Sequence, residues 1–193
     1  LYEQRDEEEL MIQLEGKYEN LRQFNKIHEL PAPANLVNIL RPYQVAGFQW
    51  LNYLHEVNWG GILADDMGLG KTVQALSFLQ IFREKYGQLK ALIVCPTTLI
   101  YNWENEIKKF TPSLTYHIHH GGTRTRTKEE LMVHDVTITT YGTLRSDIKL
   151  LSSVEMDYVV LDESQAIKNP SSKVTRAASL LNVKHKLCMS GTP

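Results

Sequence analysis

Twelve residues carry the first chemistry in this chain: GILADDMGLGKT, 61 to 72. Gly68 and Gly70, with Leu69 between them, let successive backbone N–H groups turn inward around an anion. Lys71 is placed to reach the β- and γ-phosphates of a nucleotide, and the Thr72 hydroxyl to ligate magnesium. The frame is right for such a loop: an apolar strand, GGILAD, precedes it, and a helix with its positive end toward the phosphates follows. One position departs from the usual pattern of Gly, four residues, then Gly-Lys-Thr, because Asp65 stands where the first Gly belongs. A second group lies in DYVVLDE, 157 to 163, where an apolar strand runs out into two acids. Asp162 suits a magnesium ion held through its water shell, and Glu163 can orient and deprotonate an attacking water. Two acids often do no more than end a strand. Two acids placed after a phosphate loop and a further crossover are far less common.

Other residues invite chemistry less well. In HIHH, 117 to 120, His117 and His119 share a strand face, but no cysteine or carboxylate lies near in sequence, so a metal site is not read there. RTRTK, Arg124 to Lys128, is the densest basic segment; it can meet a phosphate or simply be a solvated loop. Cys95 and Cys188 sit in apolar runs and read as buried thiols, not as a disulfide or a metal pair.

The elements that must hold these residues alternate between strand and helix. From residue 43, Val45, Phe48, Leu51 and Leu54 recur at helical spacing. Further helices are expected over 71–86, 98–110, 125–133, 144–151 and 171–182. Strands are expected at GGILAD, ALIVCP, LTYHIHHGG, VTITTYG, MDYVVLDE and KHKLCMSG. Strands apolar on both faces, alternating with helices, predict an α/β fold: a mainly parallel sheet with helices on both faces. Such sheets bind ligands beyond the carboxyl ends of their strands, where the polar clusters fall. The chain has 193 residues, enough for one domain with a full core, and Pro31 and Pro33 mark a linker before Leu36. Residues 1–35 read as an acidic helical leader and linker. The first 30 residues hold four basic and eight acidic side chains against seventeen and fourteen in the rest, so a net charge of −1 conceals a domain at +3. That balance fits a solvated leader on a neutral domain, or a domain that tolerates a polyanion. No run approaches the roughly 20 apolar residues of a membrane span, and no secretory signal opens the chain. The expected place is the cytoplasm in a bacterium or the nucleus in a eukaryote.

LADDMGLGKT, DESQAIKNP and LCMSGTP resemble motifs I, II and III of helicase superfamily two, in the form used by the Swi/Snf-type ATPases. That family writes an acidic residue in place of the first Gly, so the resemblance makes Asp65 a family spelling. LRPYQ, 40 to 44, resembles the Q motif and implies that Gln44, with Arg41 nearby, binds ATP; a glutamine amide can donate and accept across the N6/N7 edge of adenine. Gln165 would link the nucleotide to Ser190, Gly191 and Thr192 of motif III. Ser164 departs from the small Ala or Gly often found there, without an expected change in chemistry. IVCPTTLIYNWENEIKKF (93–110) and ITTYGTL (138–144) resemble the nucleic-acid motifs. By that likeness Thr97, Asn102, Thr139, Thr140, Tyr141, Lys168 and Asn169 would grip the backbone of double-stranded DNA, with Trp103 serving as packing for the motif Ia helix.

The resemblance implies that residues 36–193 are the N-terminal RecA-like ATP-binding lobe of a DNA-stimulated ATPase. Its cofactors would be ATP and Mg2+, with Lys71, Asp162 and Glu163 catalytic and Thr72 and Asp162 on the metal. The whole motor would translocate on duplex DNA and remodel a protein–DNA complex, displacing a protein the sequence does not identify. The alternatives are a strand-separating helicase or restriction-type motor, and a non-catalytic binding module. Intact Lys71, Thr72, Asp162 and Glu163 argue against the last. Superfamily-two motors place ATP between two lobes, the second of which brings arginine fingers. No Gln-x-x-Gly-Arg-x-x-Arg pattern occurs in these residues. The C-terminal lobe is therefore an expected partner, and these 193 residues by themselves are expected to hydrolyse ATP hardly at all.

Overall fold

The computed structural model describes residues 29–122 and 124–191. The leader helix expected over residues 1–30 falls almost wholly outside the described residues, as does Thr192. Beyond the two prolines a run of turns brings Leu36 entirely inside the core. Helix α1 (Pro42–Glu56) begins with Pro42 at its first position, behind an extended Arg41, where a missing N–H costs no hydrogen bond. The Gln44 side-chain oxygen accepts the Arg41 N–H at 2.9 Å and so closes the helix start.

The remaining elements are β1 (Gly61–Leu63), α2 (Lys71–Tyr86), β2 (Ala91–Cys95), a 3-10 turn (Thr97–Leu99), α3 (Ile100–Phe110), β3 (Tyr116–His119), α4 (Lys128–Met132), β4 (Val136–Thr140), α5 (Tyr141–Ser146), α6 (Ile148–Leu151), β5 (Met156–Leu161), a second 3-10 turn (Ser164–Ile167), α7 (Lys173–Ser179) and β6 (Val183–Met189). The six strands form one sheet in the order β1-β6-β5-β2-β4-β3, with every neighbouring pair parallel. This is the expected α/β, RecA-like architecture.

Side chains alternate across the central strands as the pleat requires. Ile93 and Val160 face one core with Phe48, Phe78 and Trp103, from α1, α2 and α3. Leu92, Val94, Val159 and Leu161 face a second core with Leu144, Leu151 and Ala177, from α5, α6 and α7. Each fully buried large apolar side chain contributes about 1.5–3 kcal/mol.

Three expectations change in detail. The helix expected over 144–151 is two short helices that meet at Asp147. The one expected over 171–182 covers only Lys173–Ser179, because Ser172 caps it by accepting the Thr175 N–H at 3.1 Å. The strands are not apolar on both faces throughout: at the β1–β6 edge Lys184 and Lys186 are exposed and Ile62 is 61% exposed.

Candidate nucleotide site

Because all six strands run the same way, their carboxyl ends share one edge. The loop after β1 and the acids after β5 therefore open on the same cavity, of about 310 Å³. Gly68, Gly70, Lys71 and Thr72 line it from one side, and Asp162 and Glu163 from another. Leu99, from the 3-10 turn, and Asn102 and Glu106, from helix α3, also line it.

The phosphate loop depends on glycine at two positions. Gly68 has φ of 82° and Gly70 φ of 77°, in the region glycine enters freely. At Gly70 a Cβ would also lie 2.4 Å from Gln44 Nε2. The Lys71 ammonium folds back on its own loop, donating to the carbonyls of Asp65 at 2.6 Å and Asp66 at 3.2 Å. Asp65 uses its side chain elsewhere, accepting a hydrogen bond from Gln74 Nε2 at 3.0 Å. Gln74 is buried in α2, so the acid pins the loop entry to the helix that follows the loop. That contact gives Asp65 a physical role that a glycine could not fill.

Gln44 is buried and already bonded at both ends of its amide. Nε2 donates to the Leu69 carbonyl at 3.1 Å, and Oε1 accepts from Arg41 N–H. One N–H and one lone pair stay unused, which is the set that adenine N7 and N6 require. The Tyr43 hydroxyl also donates to Leu69 O, at 3.1 Å. Arg41 is exposed beside them.

Asp162 is 7% exposed and held from several directions. Trp103 Nε1 donates to one carboxylate oxygen at 2.8 Å, the Glu163 N–H donates to the other at 2.9 Å, and the Tyr141 hydroxyl donates to the Asp162 carbonyl at 2.7 Å. Burial pushes the Asp162 carboxyl above the ordinary aspartate range, while the Trp103 and Glu163 N–H groups pull it back down. Glu163 sits in left-handed backbone, φ 52° and ψ 52°, which costs a non-glycine residue about 1–2 kcal/mol. Strain of this kind gathers at functional positions. From there Glu163 accepts a hydrogen bond from Gln165 Nε2, and Gln165 Oε1 accepts one from the Ser190 hydroxyl at 3.0 Å. A chain Glu163–Gln165–Ser190 thus joins the two acids to the end of β6.

The Thr72 hydroxyl and the Asp162 carboxylate are hard oxygen donors on one cavity, a set that fits magnesium. Among the described residues no three His, Cys, Asp or Glu side chains cluster tightly enough to cage a metal. Magnesium suits such a site because it keeps several waters and takes ligands from substrate phosphates.

The residues expected to grip DNA divide into two groups. Thr97, Lys168 and Asn169 are exposed. Asn102 is exposed too, but it lines the nucleotide cavity. The side chains of Thr139, Thr140 and Tyr141 are each buried and engaged within the fold. The Thr139 hydroxyl donates to His119 O at 2.8 Å, and Thr140 Oγ1 caps α5 by accepting from Thr143 N–H at 3.1 Å. The third, Tyr141, holds Asp162. The basic segment is also less free than its sequence implies, since Arg124 is paired with Asp147. The HIHH imidazoles turn to separate partners: His119 to Thr125 and Asp147, His120 to Thr143, and His117 to a stack on His134.

Sequence reading missed Gln74, Glu106 and the polar role of Trp103. The spacing of Asn102 and Glu106, one helical turn apart, was the available signal for one α3 face meeting the site.

A family model for the SNF2-related domain matches residues 43–193. The chain is 37% identical over 173 residues to an uncharacterized ATP-dependent helicase of Mycoplasma pneumoniae, covering 89% of this chain and 17% of that protein. It is 37% identical over 191 residues to the putative ATP-dependent helicase/translocase YwqA of Bacillus subtilis, covering 96% of this chain and 20% of that protein. The TATA-binding protein-associated factor MOT1 of Saccharomyces cerevisiae is 34% identical over 203 residues, covering 96% of this chain and 11% of MOT1. Among solved structures, the Sulfolobus solfataricus SWI2/SNF2 ATPase core in complex with dsDNA matches with a TM-score of 0.75 and 36% identity, over 86% of this chain and 34% of that one. The chain thus spans a fifth or less of these curated relatives.

Proposed function

The chain belongs to the SNF2-related domain family, and on that premise we propose that it is the N-terminal, ATP-binding lobe of a DNA-stimulated ATPase that translocates on duplex DNA and remodels protein–DNA complexes. One observation carries the reading: Lys71 and Thr72 from the end of β1 and Asp162 and Glu163 from the end of β5 line a single cavity. In this reading Lys71 leaves the carbonyls of Asp65 and Asp66 and turns to the β- and γ-phosphates. Thr72 and Asp162 would hold magnesium, which would supply positive charge to those phosphates. Glu163 orients the attacking water and takes its proton. The Glu163–Gln165–Ser190 chain reports the state of the γ-phosphate toward motif III.

The partners are the backbone of double-stranded DNA, contacted without regard to sequence, and a C-terminal RecA-like lobe in the same protein. The DNA complex of the Sulfolobus relative supports the first. Lys71→Ala is expected to abolish detectable Mg-ATP binding while leaving the melting temperature within a few degrees, because among the described residues the ammonium bonds only to its own loop. Calorimetry beside a thermal melt checks this. Unchanged affinity in the variant removes the nucleotide site.

A further inference from the structure

The two segments that resemble nucleic-acid motifs both end on Asp162, one on its carboxylate and the other on its backbone carbonyl. Trp103 lies in α3, the helix of the IVCPTTLIYNWENEIKKF segment. Tyr141 opens α5, directly after β4 and in the ITTY segment. Trp103 is wholly buried, and its indole N–H meets Asp162 Oδ2 at 2.8 Å across 59 residues of sequence. Tyr141 is buried as well, and its hydroxyl meets the Asp162 carbonyl at 2.7 Å. With the Glu163 N–H on Oδ1, side chain and backbone of Asp162 are both held. An aspartate has two rotatable side-chain bonds, and a carboxylate swung away from Thr72 cannot share an ion with it. The indole N–H and the Glu163 N–H, one on each oxygen, fix the orientation of a carboxylate that lines the cavity.

We infer that Trp103 and Tyr141 are positioning residues for the magnesium aspartate: they hold Asp162 in register with Thr72 and tie the two DNA-facing segments mechanically to the metal position. This inference rests on the nucleotide reading above. It assigns Trp103 a polar function in place of packing alone, and it gives Tyr141 a task that does not involve touching DNA. Neither residue lines the nucleotide cavity.

The test uses the full-length protein that contains this chain and measures ATP affinity by calorimetry across a magnesium titration, and again in EDTA. Trp103→Phe keeps an aromatic ring and removes the N–H. Benzothienylalanine at position 103 keeps the indole shape and replaces only the N–H with sulfur. Tyr141→Phe removes only the hydroxyl. Loss of one hydrogen bond to a charged group predicts that both position-103 variants need roughly tenfold more magnesium to reach half-maximal ATP tightening. Tyr141→Phe, which loses a bond to a neutral carbonyl, should need severalfold more. Affinity in EDTA should match wild type for the benzothienyl protein, and its melting temperature should fall by only a few degrees, as the loss of one hydrogen bond predicts. An unchanged magnesium requirement in that protein overturns the inference, as does an equal loss of affinity with and without magnesium. If Trp103→Phe fails to fold, the benzothienyl protein alone decides. Wild-type protein that binds no ATP under any condition would instead remove the nucleotide reading, and this inference with it.

Discussion

Gln44 shows what a single residue type can and cannot reveal. Its position behind Arg-Pro-Tyr marks it as an adenine reader by likeness, but its burial and its bonds to Arg41 and Leu69 are facts of tertiary structure. They add a second task, since the amide that would read adenine also holds the phosphate loop. Gln44→Ala is therefore expected to weaken ATP binding about tenfold or more, through one or two lost hydrogen bonds. It should also narrow the preference for ATP over GTP. Competition of the two nucleotides for wild-type and variant protein checks this, and equal wild-type affinities would contradict the assignment. Glycine, lysine and the paired acids were legible because local geometry dictates their types. The contacts Asp65–Gln74 and Trp103–Asp162 were not, because their partners come from other elements and a side chain's sequence neighbours say nothing of them. Trp103 read as packing for a sound reason: an indole in an amphipathic helix usually is, and this one is fully buried.

At the scale of elements, the strands and long helices followed from apolar runs and periodicity, and the departures cluster where polar side chains cut helices short. Asp147 is the clearest case. It ends α5 and starts α6, and its carboxylate binds both Arg124 and His119. This joins the loop after β3 to the helices after β4. Burial is the largest influence lowering the His119 pKa, and with His117 and Arg124 it outweighs the raising effect of Asp147. The imidazole is thus neutral near pH 7, with Nε2–H donating to Asp147 and Nδ1 accepting from the Thr125 hydroxyl. The sign of the pH effect follows: a folded pKa below the unfolded value of 6.5 means that the unfolded chain binds the proton first. Stability is full above pH 6.5 and is lost as pH falls through the lowered folded pKa. His55, His117 and His185 are shifted the same way, chiefly by burial. Melting temperature should be flat above about pH 7 and fall steadily below 6.5; a rise on acidification would mean that the imidazolium is the favoured folded form. At pH 7, Asp147→Asn should lower stability, through the lost charge-assisted bond to Arg124, as read from denaturant unfolding.

For the whole molecule, the geometry of the acids sets what these residues can do by themselves. Asp162, Glu163, Lys71 and Thr72 are the charged and hydroxyl groups that line the cavity together with Glu106. Charge that develops on the far side of a γ-phosphate needs donors already aimed at it, and arginine fingers of this kind contribute about 10³ to 10⁵ in rate in related phosphoryl-transfer systems. The described residues aim no arginine into the cavity. The exposed residues proposed for DNA, Thr97, Lys168 and Asn169, amount to few phosphate contacts. Binding to duplex by these 193 residues should then be weak, with a shallow dependence on salt because few counterions are released. In the full-length protein, duplex DNA is expected to raise ATP turnover strongly. Glu163→Gln there should bind ATP and no longer turn it over, since the amide fills the same space but accepts no proton from water. The comparison is phosphate release with and without duplex by residues 1–193 and by the full-length protein. Brisk DNA-stimulated turnover from residues 1–193 would mean that two copies complete each other's sites, and a lobe that depends on a second lobe of its own chain would be the wrong description.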